Sequence, residues 1–173
     1  VPFVVRRYPK IPGWVDAKTL VILSSYSGNT EEVLEAFAKV NRTKAQMLIV
    51  TSGGKLAKLA KRGKRNCVII PAGLPPRCAA GYLTFSLIPV LKKSGILQVT
   101  DKEINKIVPL LKRSCRSEAK ALARKFRGQT VRLYSMSGIL EPVVTRWRAQ
   151  IAENSKTIVS TCFIPEMFHN EIE

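Results

Sequence analysis

The stretch Leu20-Val21-Ile22-Leu23-Ser24-Ser25-Tyr26-Ser27-Gly28-Asn29-Thr30-Glu31-Glu32-Val33-Leu34 decides the fold class. Residues 20–23 are a compact apolar run with the length and β-branched content of a strand buried on both faces, as parallel sheets require. The run passes directly into a hydroxyl-rich turn and then into a helix start. There Asn29 as N-cap and Glu32 three positions on form a box-like signal, with Asn in place of the usual Ser or Thr. Val33, Phe37 and Val40 then share one helical face. Strand, tight turn and helix in that order are one βα step.

The same step repeats outward. Residues 46–51 read as a strand, 55–61 as a basic amphipathic helix with Leu56, Leu59 and Ala60 inward, and 67–70 as a third buried strand. After a proline-rich turn at 71–76, residues 79–91 predict a mostly buried helix. Residues 1–7, ending at Pro9 and Pro12, predict one more short strand. This order predicts an α/β protein with a doubly wound parallel sheet. A boundary is expected near residues 94–100, followed by a basic helix over 102–127 that Gly128 stops. Residues 130–136 read as a fresh strand, Ser137-Gly138 as a turn, and 141–154 as a helix burying Val143, Trp147 and Ile151. The expected division is a first domain at 1–97, a helical connector at 98–128 and the beginning of a second α/β unit at 129–173.

Bulk properties narrow the class. With 173 residues, 46% of them hydrophobic, the chain can bury a substantial core. Its apolar runs stop far short of the ~20 residues of a membrane span. The start, Val-Pro-Phe-Val-Val-Arg-Arg, lacks the order of a secretory signal, so a soluble cytoplasmic protein is expected. Cys67, Cys78, Cys115 and Cys162 are widely spaced, form no C-x-x-C pair and accompany a single histidine. We therefore expect small buried hydrophobes or free thiols and no metal site.

Charge is the unusual quantity. Twenty-nine Lys and Arg against twelve Asp and Glu give +17, a field that attracts polyanions. No acidic residue lies between Glu35 and Asp101, while Lys55, Lys58, Lys61, Arg62, Lys64 and Arg65 crowd one segment. A second cluster runs through Lys112, Arg113, Arg116, Lys120, Arg124, Lys125 and Arg127, opposed there by Glu118. On one helix, Arg113, Arg116, Lys120 and Arg124 would form a continuous stripe. Such runs read either as solvated faces or as nucleic-acid contacts, with Lys58, Lys61, Arg62, Lys64, Arg65 and the stripe as candidates.

The turn at Ser24–Thr30 carries the first chemical signal. A hydroxyl-rich turn before a helix N-terminus, with its unpaired N–H groups and partial positive charge, suits a phosphate. An ordinary capped turn explains the same composition, and Glu31 and Glu32 complicate an anion site unless their side chains point away.

Read as a set, the motifs go further. Ser-Tyr-Ser-Gly-Asn-Thr-Glu-Glu from Ser25 resembles the phosphate loop of sugar isomerase (SIS) domains. Its companions are Thr51-Ser52-Gly53-Gly54-Lys55-Leu56-Ala57, Pro71-Ala72-Gly73-Leu74-Pro75-Pro76-Arg77, Trp147-Arg148-Ala149-Gln150-Ile151-Ala152-Glu153-Asn154, and Pro165-Glu166-Met167-Phe168-His169-Asn170-Glu171-Ile172. In this order and spacing the set resembles the bifunctional phosphoglucose/phosphomannose isomerases over nearly the whole chain. The resemblance implies that Ser25, Ser27 and Thr30 hold a sugar phosphate and that Arg77 neutralises the enediolate. It implies Glu153 as the base moving a proton between C1 and C2, and His169, supplied across a dimer interface, as the assistant of ring opening. One returning carboxylate, one cation and one group titrating near neutrality suffice for aldose–ketose isomerisation, so no metal or cofactor is expected.

The chain also departs from that family. Members begin with a Gly-rich strand–turn–helix segment bearing another phosphate serine, and continue into a completed second SIS domain with a C-terminal lysine. Here the connector looks shortened and Phe168 stands where asparagine is usual. The resemblance thus implies an incomplete first SIS-like domain and the start of a second, completed by a homodimer mate or another chain. Two functions are expected in competition: a sugar-phosphate isomerase in truncated or split form, and a non-catalytic SIS descendant whose basic surface docks on RNA in a ribosome-like assembly.

Overall fold

The computed structural model of the chain describes residues 2–171. Val1, in the strand expected at 1–7, and Ile172, in the last motif, lie outside the described residues. Internal packing divides the chain into two compact units, Val1–Ile104 and Asn105–Glu173.

In the first unit, β1 (Leu20–Ser24), β2 (Gln46–Thr51) and β3 (Asn66–Ile69) form a parallel sheet in the order β1-β2-β3. Leu20 is in register with Gln46 and Leu48 with Asn66. Strand alternation puts Val21, Leu23, Met47, Ile49 and Cys67 on one face. There α1 (Glu31–Val40) contributes Ala36, Phe37 and Val40, and α2 (Gly54–Arg62) contributes Leu56 and Ala60. Covering this one face with two helices forms the main core. Being central, β2 is buried from Met47 to Thr51, which is why it reads as an unbroken apolar run. Leu20 and Leu48 point to the other face, where they line a cleft of about 310 Å3 together with Val90, Ser94 and Ile96. The result is an α/β fold built on parallel sheets.

Several local expectations change. Residues 2–6 pair with no strand, leaving β1 as an edge of the sheet; Phe3, Val4 and Val5 stay exposed. The cap of α1 is Thr30 rather than Asn29, whose side chain is used elsewhere. The helix expected at 79–91 is two short ones, α3 (Ala80–Phe85) and α4 (Leu87–Lys93), and of that stretch only Ala79 is buried. Pro89 is tolerated because it lies in the first turn of α4, where an N–H has no intrahelical acceptor. None of the four cysteines is fully buried: Cys78 and Cys115 are exposed, Cys67 and Cys162 are half-buried, and all are free thiols. Burial pushes the Cys67 thiol up.

The helix expected at 102–127 is likewise two. A Thr100–Glu103 box starts α5 (Asp101–Lys112): the Thr100 N–H donates to the Glu103 carboxylate at 2.8 Å and the Glu103 N–H to the Thr100 hydroxyl at 3.2 Å. That interaction holds the Glu103 carboxyl below its usual range. Pro109 inside α5 removes a ladder donor, the chain breaks at residues 113–115, and α6 (Arg116–Phe126) follows. Arg113 therefore falls outside the stripe, and Arg116, Lys120 and Arg124 keep one exposed face of α6.

In the second unit, β4 (Val131–Met136), α7 (Glu141–Ser155) and β5 (Val159–Ile164) make a βαβ step with the strands parallel. The sequence reading had no strand where β5 lies. Val131, Leu133 and Val159 form its core with Val144, Ile151 and Ala152, whereas Val143 and Trp147 are exposed, contrary to expectation. The unit closes with α8 (Met167–Asn170). Among the described residues, no helix is long and apolar enough to cross a membrane.

Candidate functional site

Ser24 ends β1, and the next residues build a closed turn. The Gly28 N–H donates to the Ser25 hydroxyl at 3.1 Å, and that hydroxyl shares a 2.7 Å hydrogen bond with Thr30. Ser25 is buried while Ser27 and Thr30 are exposed residues, so Ser25 orients the turn from within and holds the Thr30 hydroxyl. Ser27 accepts the Asn29 N–H at 3.2 Å. The N–H groups of Glu31 and Glu32 open α1 with no intrahelical acceptor. Both carboxylates are exposed, where solvent screens them.

This turn interlocks with a second one, 51–55, after β2. Asn29 Oδ1 accepts the Lys55 N–H at 3.0 Å, the Gly28 carbonyl accepts the Leu56 N–H at 2.9 Å, and the Tyr26 carbonyl accepts both the N–H and the hydroxyl of Ser52, at 2.9 and 2.6 Å. Gly28 (φ +66°) and Gly54 (φ +69°) occupy the left-handed region at the contact. A Cβ on Gly28 would overlap the Gly53 carbonyl oxygen, and one on Gly54 the Ser27 carbonyl oxygen.

A third loop follows β3 and bears Arg77 on a single 3-10 turn, Pro76–Cys78. The Tyr26 hydroxyl ties it down, donating to the Pro71 carbonyl at 3.2 Å and accepting the Leu74 N–H at 2.8 Å. Because the strands are parallel, all three loops emerge at the carboxyl edge of the sheet, where open α/β sheets bind ligands. Ser25, Ser27, Thr30 and Arg77 thus share one edge of one unit. Tyr26→Phe is expected to cost about 1–2 kcal/mol in urea unfolding, since two hydrogen bonds go. It should also lower turnover of any ligand gripped by Arg77 roughly tenfold; equal turnover would show that the loop needs no brace.

Glu153 and His169 belong to the second unit. Glu153 is exposed in the last turn of α7, which ends before β5 begins, and His169 is exposed on α8, which starts after β5 ends. Six residues of β5 put roughly 20 Å of strand between those two ends. A second serine–glycine stretch, Ser135-Met136-Ser137-Gly138, spans the end of β4 and the turn after it, but Ile139 and Leu140 stand where the first turn has Asn29 and Thr30. It therefore offers no hydroxyl at the helix start. The basic candidates Lys58, Lys61, Arg62 and Lys64 are exposed on or just beyond α2, and Arg65 is bound to Asn41 Oδ1 at 2.6 Å. Arg113 pairs with Glu118 at 3.4 Å. Sequence reasoning missed the bracing by Tyr26 and Asn29; its one available signal was a Gly-Gly pair directly after a buried strand.

Residues 116–173 match the family described as bacterial phospho-glucose isomerase C-terminal SIS domain. The chain is 37% identical to the bifunctional phosphoglucose/phosphomannose isomerase of Caldicellulosiruptor bescii, over 99% of the chain and 54% of that protein. It is 34% identical to the enzyme of the same name from Aquifex aeolicus, over 98% and 52%. The chain thus spans about half the length of these curated relatives. The crystal structure of a phosphosugar isomerase candidate from Bacillus subtilis shares the fold, with a TM-score of 0.66 at 20% identity, over 93% of this chain and 52% of that one.

Proposed function

The chain belongs by sequence to the bifunctional phosphoglucose/phosphomannose isomerase family, and on that premise we propose that it takes part in aldose–ketose isomerisation of a hexose 6-phosphate. The observation that carries this reading is the braced carboxyl edge of the first sheet. Two exposed hydroxyl residues, Ser27 and Thr30, stand at an open helix N-terminus with Arg77 on the neighbouring loop. Helix N–H groups and hydroxyls hold the phosphoryl oxygens, and Ser25 fixes Thr30 in place. Arg77 stabilises the negative oxygen of the enediolate, and Glu153 takes the C2 proton and returns it to C1. His169 assists ring opening. The separation of α8 from the end of α7 favours a site assembled from two copies, with the histidine arriving from the second.

Two measurements test this. Titration of the chain with fructose 6-phosphate, followed by 31P NMR, reads the phosphate grip; a coupled assay forming glucose 6-phosphate reads turnover. Binding lost in Thr30→Val is expected, and a wild-type chain that neither binds nor turns over fructose 6-phosphate ends the proposal.

One observation favours an RNA-docking role. Among the described residues, no ion pair engages Lys58, Lys61, Arg62 or Lys64, so the exposed end of α2 carries uncompensated positive charge. If that face docks on RNA, filter binding at low salt shows affinity that weakens steeply with added salt, and substituting these four by glutamate abolishes it. No affinity for RNA at low salt removes the reading.

A further inference from the structure

The geometry points to Arg132 and Glu171 as positioning residues that fix the segment bearing His169 onto the second sheet, an assignment that rests on the isomerase reading of His169. The problem they solve is local. α8 has four residues, Phe168 and His169 are exposed and Met167 is only half-buried, so packing does little to hold the histidine. Two residues on, the Glu171 carboxylate reaches back over the face of the sheet opposite α7. Its Oε1 accepts from Arg132 Nη2 at 2.5 Å and from the Cys162 thiol at 2.7 Å, while the same Nη2 lies 3.3 Å from Cys162 Sγ. One carboxylate oxygen therefore joins β4, β5 and the end of α8.

An ordinary surface ion pair would contribute little. This one differs in that its oxygen has two donors from two strands, so the geometry is over-determined. Arg132 is itself steadied by Tyr134, whose ring centroid lies 5.9 Å from the guanidinium carbon. A side chain needed within a fraction of an ångström of a sugar ring oxygen requires such an anchor.

Because His169 is the chain's single histidine, its signals are unambiguous. NMR order parameters of the His169 amide and imidazole are compared in the full chain and in Arg132→Met, Arg132→Lys and Glu171→Gln. The expected result is a drop from roughly 0.85 to below about 0.6 in Arg132→Met and Glu171→Gln, with substantial recovery in Arg132→Lys. Alongside it, kcat should fall roughly tenfold or more with KM unchanged, since the phosphate grip is in the other unit. If Arg132→Met unfolds, Glu171→Gln, which keeps the side-chain shape, decides the matter. Unchanged His169 order in Glu171→Gln overturns the assignment. Loosening of His169 in a wild-type background without isomerase activity sustains the anchor and instead removes the isomerase reading.

Discussion

Glu153→Gln is expected to lower kcat for conversion of fructose 6-phosphate to glucose 6-phosphate by roughly 10²- to 10⁴-fold, the range a positioned general base contributes. Glutamine keeps the shape and the last turn of α7 but has no lone pair basic enough to take the C1 proton of fructose 6-phosphate and deliver it to C2. KM should barely move, because the proposed phosphate contacts come from Ser27, Thr30 and the start of α1. A second readout isolates the step: deuterium from heavy water enters the substrate carbon in the wild type and does so no faster than background in the variant. A variant as active as the wild type would refute Glu153 as the base and leave the phosphate loop without its partner chemistry.

Gly28→Ala should be the most disruptive single-methyl change in the first unit. At φ +66° an alanine costs about 1–2 kcal/mol in backbone conformation alone. Its Cβ would also overlap the Gly53 carbonyl oxygen and sit 2.8 Å from Thr51 Oγ1, so the two interlocked turns must separate. Overpacking of this kind adds about 1–3 kcal/mol. The sum, about 2–5 kcal/mol, is a large part of the total stability of a typical domain, about 5–15 kcal/mol. The urea midpoint is expected to fall accordingly, and fructose 6-phosphate binding to vanish because Thr30 and the α1 N–H groups lose their alignment. Gly73→Ala is the control. Its φ is +89°, yet nothing lies within 4 Å of the added Cβ, so only the conformational part should appear. Equal effects from both substitutions would mean that the interlock carries no weight.

Where a continuous apolar run marks a strand of the parallel sheet, the strands were legible. β1 (Leu20–Ser24) contains the expected apolar run 20–23, and β2 (Gln46–Thr51) coincides with the expected 46–51. β5 was missed because Val-Ser-Thr-Cys-Phe-Ile mixes polar and apolar residues on a sheet with one covered face, which leaves neither a solid run nor a clean alternation. The basic helix at 102–127 failed for another reason: helical propensity is strong on both sides of the break, and Pro109 disturbs a helix without saying where it must end. In the candidate site, hydroxyls and glycines announced the turn after β1, but nothing local marked Tyr26 as a brace. Its two hydrogen bonds, to Pro71 and Leu74, span 45 and 48 residues, and no local pattern encodes such partners.

By itself the sequence determined the βα alternation and the family resemblance and nominated candidate residues, because apolar periodicity, turn chemistry and ordered motifs are properties of neighbours along the chain. Only the tertiary structure decided which serine of the turn is buried, that the glycines at 28 and 54 close two turns against each other, and that Glu171 returns to Arg132. Those facts depend on atoms far apart in sequence meeting at fixed distances, and it is parallel pairing of β1 with β2, and of β4 with β5, that sets those distances.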